Sequence, residues 1–309
     1  MFKSFKSYCI LLTFVCCALT KLNAQHTFNL SNKPKLDAYQ DSLLILSEAT
    51  FAATDNVDRA EKNAQFVKKL ITTLKINNSF NYGFDSLKRI SILKSPDNSF
   101  RIITWFTPTN EGAYKYYGTI QMGTSNGSLK LFPLTDNTNN IVDVNALTNN
   151  KNWFGTRYYE IIPVIVNGKQ PYWIFLGWKG NDQKTSKKVI EVLSFDKGEP
   201  VFGKNIFEII KNQPLKNRVV FEYNKLTSMT LTVDNKVNMI VFDHLAPYDP
   251  KMVGNYQFYG SDSSFDGYKL TWGKLALAEN VALKNDPSSN DDFYGRPVKA
   301  STIVIKANQ

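Results

Sequence analysis

Apolar positions recur every three or four residues through the early part of the chain, and every second residue or in short runs after it. Leu36, Tyr39, Leu43 and Leu46 keep helical spacing. Val57, Ala60, Ala64, Val67, Leu70, Ile71 and Leu74 keep it more strongly, with Asp58, Arg59, Glu61 and Lys68 turned the other way. That is the pattern of an amphipathic helix. Asp55 stands where an N-cap is needed, and Asn77-Asn78 ends the run. The pattern predicts a helical hairpin over residues 25–83 that packs on a larger body, with a short strand-like piece, His26–Leu30, ahead of it. A helix that binds a membrane surface would carry a richer apolar face.

From Ile90 onward the period is that of strands. Turn signals divide it: Pro96-Asp97-Asn98, Asn126-Gly127, Asn167-Gly168, Lys197-Gly198 and Asp234-Asn235, each between β-branched or aromatic runs. Three of these turns begin the same module. SPDNSFRIITWFTP from Ser95, VNGKQPYWIFLGWKG from Val166 and VDNKVNMIVFDHLAP from Val233 are each a turn, an apolar strand and a loop start. A second hairpin follows each of them, from Tyr114, Lys187 and Tyr256. Asp97 and Asn167 are 70 positions apart, and Asn167 and Asp234 are 67 apart. Such spacing predicts repeated antiparallel four-stranded units over about 84–135, 156–204 and 216–281.

The predicted fold class is therefore mostly β with an N-terminal helical hairpin, the units being propeller-like or stacked twisted sheets. Three units are fewer than the four or more blades that normally close a propeller. Either the terminal strands complete a ring or the units stack as an open array. Ser288–Asp292 reads as a polar linker, and a closing strand over 298–305 is expected to pair with a sheet edge, because Ile303, Val304 and Ile305 are costly to leave in water.

The N-terminus changes the picture of where this protein works. Lys3 and Lys6 precede an apolar run, Tyr8–Leu19, and Leu22-Asn23-Ala24 ends in a small residue. This reads as a signal peptide over 1–24, with cleavage between Ala24 and Gln25. The run is shorter than the roughly 20 residues of a membrane span, so no transmembrane segment is expected after cleavage. Thr13-Phe14-Val15 is too bulky before Cys16 for a lipoprotein signal. The expected location is periplasmic, extracellular or outer-membrane-associated.

All three cysteines, Cys9, Cys16 and Cys17, fall inside that leader. The mature chain is thus expected to be cysteine-free, which excludes disulfides and thiolate nucleophiles. Taking the leader's three lysines from the 37 basic residues leaves 34 against 27 acidic ones. The surplus is scattered, with no arginine-rich stripe, so nucleic acid is not an expected partner. It suits an anionic envelope surface or an acidic glycan, as well as an ordinary solvated surface.

Few side chains carry chemistry. Gly123-Thr124-Ser125-Asn126-Gly127 spells G-x-S-x-G, yet a nucleophile elbow needs a helix after it and a strand is expected instead. Asp262, Ser264 and Asp266, with Gly267 next, match the first half of a calcium loop, but Gly273 stands where the bidentate glutamate belongs. Calcium is the one cofactor this string suggests, and a polar turn explains the same letters. Asp243, His244 and Asp249 are the candidate catalytic group, as a His–carboxylate base or metal pair. With only His26 besides His244, a multi-histidine zinc site is excluded.

Aromatic residues form 13% of the chain, enough to supply both core and ligand platforms. Trp105, Trp178 and Trp272 are the candidate ligand-binding residues. Tyr114, Tyr116 and Tyr117, or Tyr158 and Tyr159, are further platforms for sugar rings. Sheets also collect aromatics because they pack well across strands.

FDSLKRISILKSPDNSFRIITW (Phe84–Trp105), FLGWKGND (Phe175–Asp182), KKVIEVLSF (Lys187–Phe195), IVFDHLAPYDP and YQFYGSDSSFDGY together resemble an uncharacterised family of exported proteins from Gram-negative bacteria. The resemblance spans roughly Ala38 to Val281. It implies export and a single structural unit, and brings no activity, cofactor or catalytic residue with it. The resulting reading is a non-enzymatic binding or structural protein of the bacterial envelope that contacts a glycan or another envelope protein. The alternative is a hydrolase of an envelope polymer acting through His244 with Asp243 and Asp249.

Overall fold

A computed structural model describes residues 31–283, apart from 167, 211–212 and 272, together with the backbone of a two-residue strand at 305–306. The expected leader, the piece His26–Leu30, the linker Ser288–Asp292 and Trp272 lie outside the described residues. The chain divides after residue 31, and the part that follows holds every element below.

Two helices come first, α1 (Lys33–Ala52) and α2 (Asn56–Leu74). Asp55 caps α2 as expected, its carboxylate accepting from the amides of Val57 (3.0 Å) and Asp58 (2.9 Å). The buried face of α2 is not the one its aliphatic residues predict. Arg59, Asn63, Phe66, Leu70, Thr73 and Leu74 point inward, while Val57 is 78% and Ile71 40% exposed. Two polar residues override the aliphatic stripe because each finds partners inside. Arg59 donates to the carbonyl of Ala53 (2.6 Å), and Asn63 accepts from the Trp105 indole (2.9 Å).

The rest is strand. A first meander is β1 (Ser91–Lys94), β2 (Phe100–Pro108), β3 (Tyr114–Met122) and β4 (Leu131–Thr135). After β5 (Thr148–Asn149) comes a second, β6 (Arg157–Val166), β7 (Lys169–Gly180), β8 (Thr185–Asp196) and β9 (Glu199–Phe202). Then β10 (Val219–Asn224) precedes a third, β11 (Leu231–Asp234), β12 (Met239–Pro247), β13 (Tyr259–Thr271) and β14 (Lys274–Ala278). The repeated four-stranded plan is therefore present three times.

Three boundaries differ from those expected. β10 joins the second sheet, not the third, because β8 is 12 residues long and β9 covers only its far end. β10 takes the rest of that edge, Val219 opposite Ile190 through Asn224 opposite Thr185. The turn before β12 runs from Asn235 to Asn238, and Asn238 rather than Asn235 takes the positive φ. The string from Asp262 to Gly267, expected as a polar turn, is part of β13, bulged where the register with β12 shifts.

The sheets stack. Along β7 the side chains alternate between two cores: Tyr172, Ile174 and Leu176 face one way, Trp173 and Phe175 the other. The first set meets Ile240, Phe242 and Tyr268 of the third sheet. The second meets Phe100 and Ile120 of the first, with Phe100 edge-on to Trp173 at 4.8 Å. A strand covered on both faces needs no polar alternation, which is why YWIFL reads as one apolar run. The helices cover the outer face of the first sheet, where Phe66 meets Trp105 at 5.3 Å. Of the two arrangements open to three such units, stacked sheets fit, and among the described residues no barrel closes. A short strand, β15 (Ile305–Lys306), lies parallel to β6 at the edge of the middle sheet; the rest of the expected closing strand, 298–304, lies outside the described residues.

Candidate functional site

The expected group of Asp243, His244 and Asp249 is not assembled. Neighbours on a strand point to opposite faces, and each carboxylate is already engaged by backbone. Asp243 accepts from the amide of Thr230 (2.8 Å), and Asp249 caps a short helical turn through the amide of Lys251 (2.9 Å). His244 pairs instead with Asp266 on β13, Nδ1 to Oδ2 at 2.7 Å. That hydrogen bond raises the imidazole pKa above its ordinary value, against a smaller opposing effect of burial.

The calcium string is likewise divided. Asp262 is exposed and accepts from the amide and hydroxyl of Ser264 (2.9 and 2.7 Å), whereas Asp266 is buried against His244 and the amide of Asn280. Among the described residues no three His, Cys, Asp or Glu side chains come together as metal ligands. The G-x-S-x-G string is a hairpin turn with Gly127 at φ 72°, and β4 follows it.

Of the tryptophans, Trp105 is 3% exposed, stacked on Tyr117 at 5.7 Å and bonded to Asn63. It fastens α2 to the sheet and has no face to offer. Trp178 is different. It is half-buried at the end of β7 and lines a cavity of about 450 Å³. Tyr116 and Tyr158 are core residues, while Tyr114 and Tyr117 are half-buried beside open space.

Tyr114 is the centre of this region. It lines the Trp178 cavity and also a larger one of about 620 Å³, so the two adjoin at its ring. The ring lies directly on Gly180: a Cβ there would sit 2.3 Å from the Tyr114 ring, so only glycine admits it. Trp178 meets the same ring edge-on at 5.3 Å. The β2–β3 and β7–β8 loops thus place an aromatic divider between two cavities at one end of the stack.

The larger cavity is polar. Asp136, Asn137, Thr138, Asn140, Lys179 and Asn181 contribute to its wall. Lys179 is 3% exposed, its ammonium donating to the Gly155 carbonyl (2.5 Å) and the Thr138 hydroxyl (2.9 Å). It also lies 4.4 Å and 4.5 Å from the centroids of the Tyr116 and Phe154 rings. Burial brings its pKa down to about 7, with Asp136 only partly opposing. Asp136 accepts from the Tyr116 amide (3.1 Å), which fixes its carboxylate beside the rings.

Sequence reasoning identified Trp178 and Tyr114 and missed Lys179, Asp136, Lys188 and Lys225. For Lys179 the signal was there. Two residues beyond Gly177 and four beyond Phe175, it falls on the face of β7 that carries Trp173 and Phe175. Comparison with protein-family models, curated proteins and solved structures returned no match.

Proposed function

We propose that this chain is a non-enzymatic binding protein of the bacterial envelope, exported through its N-terminal leader, and that its ligand is a glycan. The observation that carries the reading is the larger cavity, where amide side chains, a hydroxyl and a carboxylate surround an open space beside the Tyr114 and Tyr117 rings. Hydroxyl-rich sugars need such donors and acceptors, and the apolar face of a pyranose needs a ring to lie against. The test is retention of the full chain on immobilised polysaccharides. Tyr114→Ala is expected to weaken retention about tenfold with the fold intact, and no retention on any polysaccharide sinks the reading. Export is tested by sequencing the mature N-terminus, which should begin at Gln25.

A second reading, hydrolysis of an envelope polymer, is favoured by one contact, the His244–Asp266 pair with its imidazole half exposed. A histidine oriented by a carboxylate is the arrangement of a general base. Release of reducing ends that disappears in His244→Ala would establish it, and equal release by both proteins would remove it.

A further inference from the structure

The Trp178 cavity differs in charge from its neighbour. Its wall includes Lys188, Lys225, Tyr223, Ser186 and the ring of Tyr114, and it contains no carboxylate. Among the described residues the two ammoniums form no ion pair; they meet neutral oxygens and the faces of rings, Lys188 over Tyr159 at 4.5 Å and Lys225 over Tyr114 at 5.3 Å. Lys188 lies 3.3 Å from the Tyr159 hydroxyl, and Lys225 donates to the backbone carbonyl of Asp182 at 2.9 Å. Each ammonium has three hydrogens, so both have donors left over. Burial lowers the pKa of Lys188, partly offset by Asp243, whose own carboxylate is held by the Thr230 amide. Trp178 packs against the rings of Phe106 at 4.9 Å and Tyr114 at 5.3 Å, which fixes the ring that a sugar would lie against.

We propose that this cavity is a subsite for an anionic sugar residue, its ring against Trp178 and Tyr114 and its acidic group between Lys188 and Lys225. The proposal rests on the glycan reading and narrows it: the ligand is an acidic glycan, with neutral hydroxyl contacts in the larger cavity and the charged residue in the smaller. A space of about 450 Å³ lies within the ordinary range for a small-molecule pocket. Half-buried ammoniums that form no ion pair are what an anion lowers in energy on entry, because it replaces water that hydrates them poorly there. Lysine offers point charges without a bidentate fork, so a carboxylate and a sulfate both satisfy the site.

The test is titration calorimetry on the full chain with oligogalacturonate, hyaluronan oligosaccharides and dextran sulfate. Each is run beside its uncharged counterpart: carboxyl-reduced oligogalacturonate, carboxyl-reduced hyaluronan, and dextran. The acidic member of at least one pair should bind about tenfold tighter than its counterpart. That preference should vanish in the Lys188→Gln/Lys225→Gln double variant and persist in Lys188→Arg/Lys225→Arg. The carboxylated and sulfated pairs tell which acid is taken. Equal affinity within every pair overturns this proposal and leaves the glycan reading standing. No binding to any of the six overturns both. Acid-dependent binding that survives Tyr114→Ala and Trp178→Ala unchanged also overturns the glycan reading, because it marks adhesion to a charged surface. Melting curves of each variant confirm that the fold is intact.

Discussion

Two buried arginines, one under the helices and one inside the middle sheet, show how differently two regions of this molecule accommodate a charge. Arg101, on β2, has no carboxylate. Its guanidinium donates to the carbonyls of Tyr82 (2.6 Å) and Ser79 (3.0 Å) and to the Gln121 side chain (2.8 Å). Burial alone brings its pKa down to about 9. Arg218, just before β10, meets Glu191 of β8 at 2.8 Å, both side chains being almost wholly buried. Its Nη1 donates to the carbonyls of Val144 and Ala146 and its Nη2 to the Thr148 hydroxyl. Burial raises the pKa of Glu191 even so, against the pull of the guanidinium. The first arginine ties the chain leaving α2 to the sheet through neutral dipoles. The second holds a long loop against the sheet, and needs a partner to do it.

Breaking the pair should have the largest effect. Glu191→Ala leaves Arg218 buried and uncompensated and is expected to cost about 3–5 kcal/mol, read from urea unfolding. The double variant Glu191→Leu/Arg218→Met should lose less than that single one. A double variant that loses the sum of the two singles would show no coupling between these side chains.

Arg101→Met probes the other region. Three oxygen acceptors lose their donor while the volume is kept, for an expected loss of about 1–3 kcal/mol. Because the carbonyls of Ser79 and Tyr82 are the ones released, amide exchange should rise most in the segment joining α2 to β1. A uniform rise across all three sheets would contradict the idea of a local clamp.

Lys179 sharpens the contrast as a buried cation beside a cavity. Its folded pKa, about 7, lies below the unfolded value, so between the two the unfolded chain binds more protons and stability rises with pH. From pH 7 to 9, below the range where tyrosines ionise, this group adds a positive slope of at most about 1.4 kcal/mol per pH unit. Lys179→Met should remove that slope and be more stable than the native chain at pH 7. An unchanged slope would mean that the ammonium stays charged.

The smallest expected effect is that of His244. Its folded pKa is raised, so its contribution is fully present below the unfolded value of about 6.5 and is lost as pH rises through the folded one. With 47% of the side chain exposed, solvent screens most of the interaction. Asp266→Asn should flatten a slight downward slope near neutral pH, and an unaltered profile would mean the pair contributes nothing to stability.

The three meanders were legible because turn chemistry and strand patterning agree at Pro96-Asp97-Asn98, Lys197-Gly198 and the run Tyr172–Leu176. The orientation of α2 was not, because hydropathy cannot register that Asn63 has an indole waiting for it. Nor was the edge shared by β9 and β10, which depends on the length of β8 and not on any letter in β10. At the site, rings announce themselves in sequence, and so Tyr114 and Trp178 were found. The lysines did not, since what distinguishes Lys188 and Lys225 is that they line one cavity wall without forming an ion pair, which only the folded chain shows. The histidine was singled out with the wrong acids because proximity in sequence stood in for proximity across a strand pair.

The middle meander has no face suited to water, and this bears on the order in which the molecule assembles. Every meander joins strands that follow one another along the chain, so hairpins form from nearby residues and are kinetically favoured. The first has its outer side covered by the two helices that precede it in the chain. The central one presents Ile174 and Leu176 on one side and Trp173 and Phe175 on the other, and is prone to aggregate until both flanks arrive. Its maturation is therefore the step most exposed to failure, and the one at which a chaperone has the most to protect.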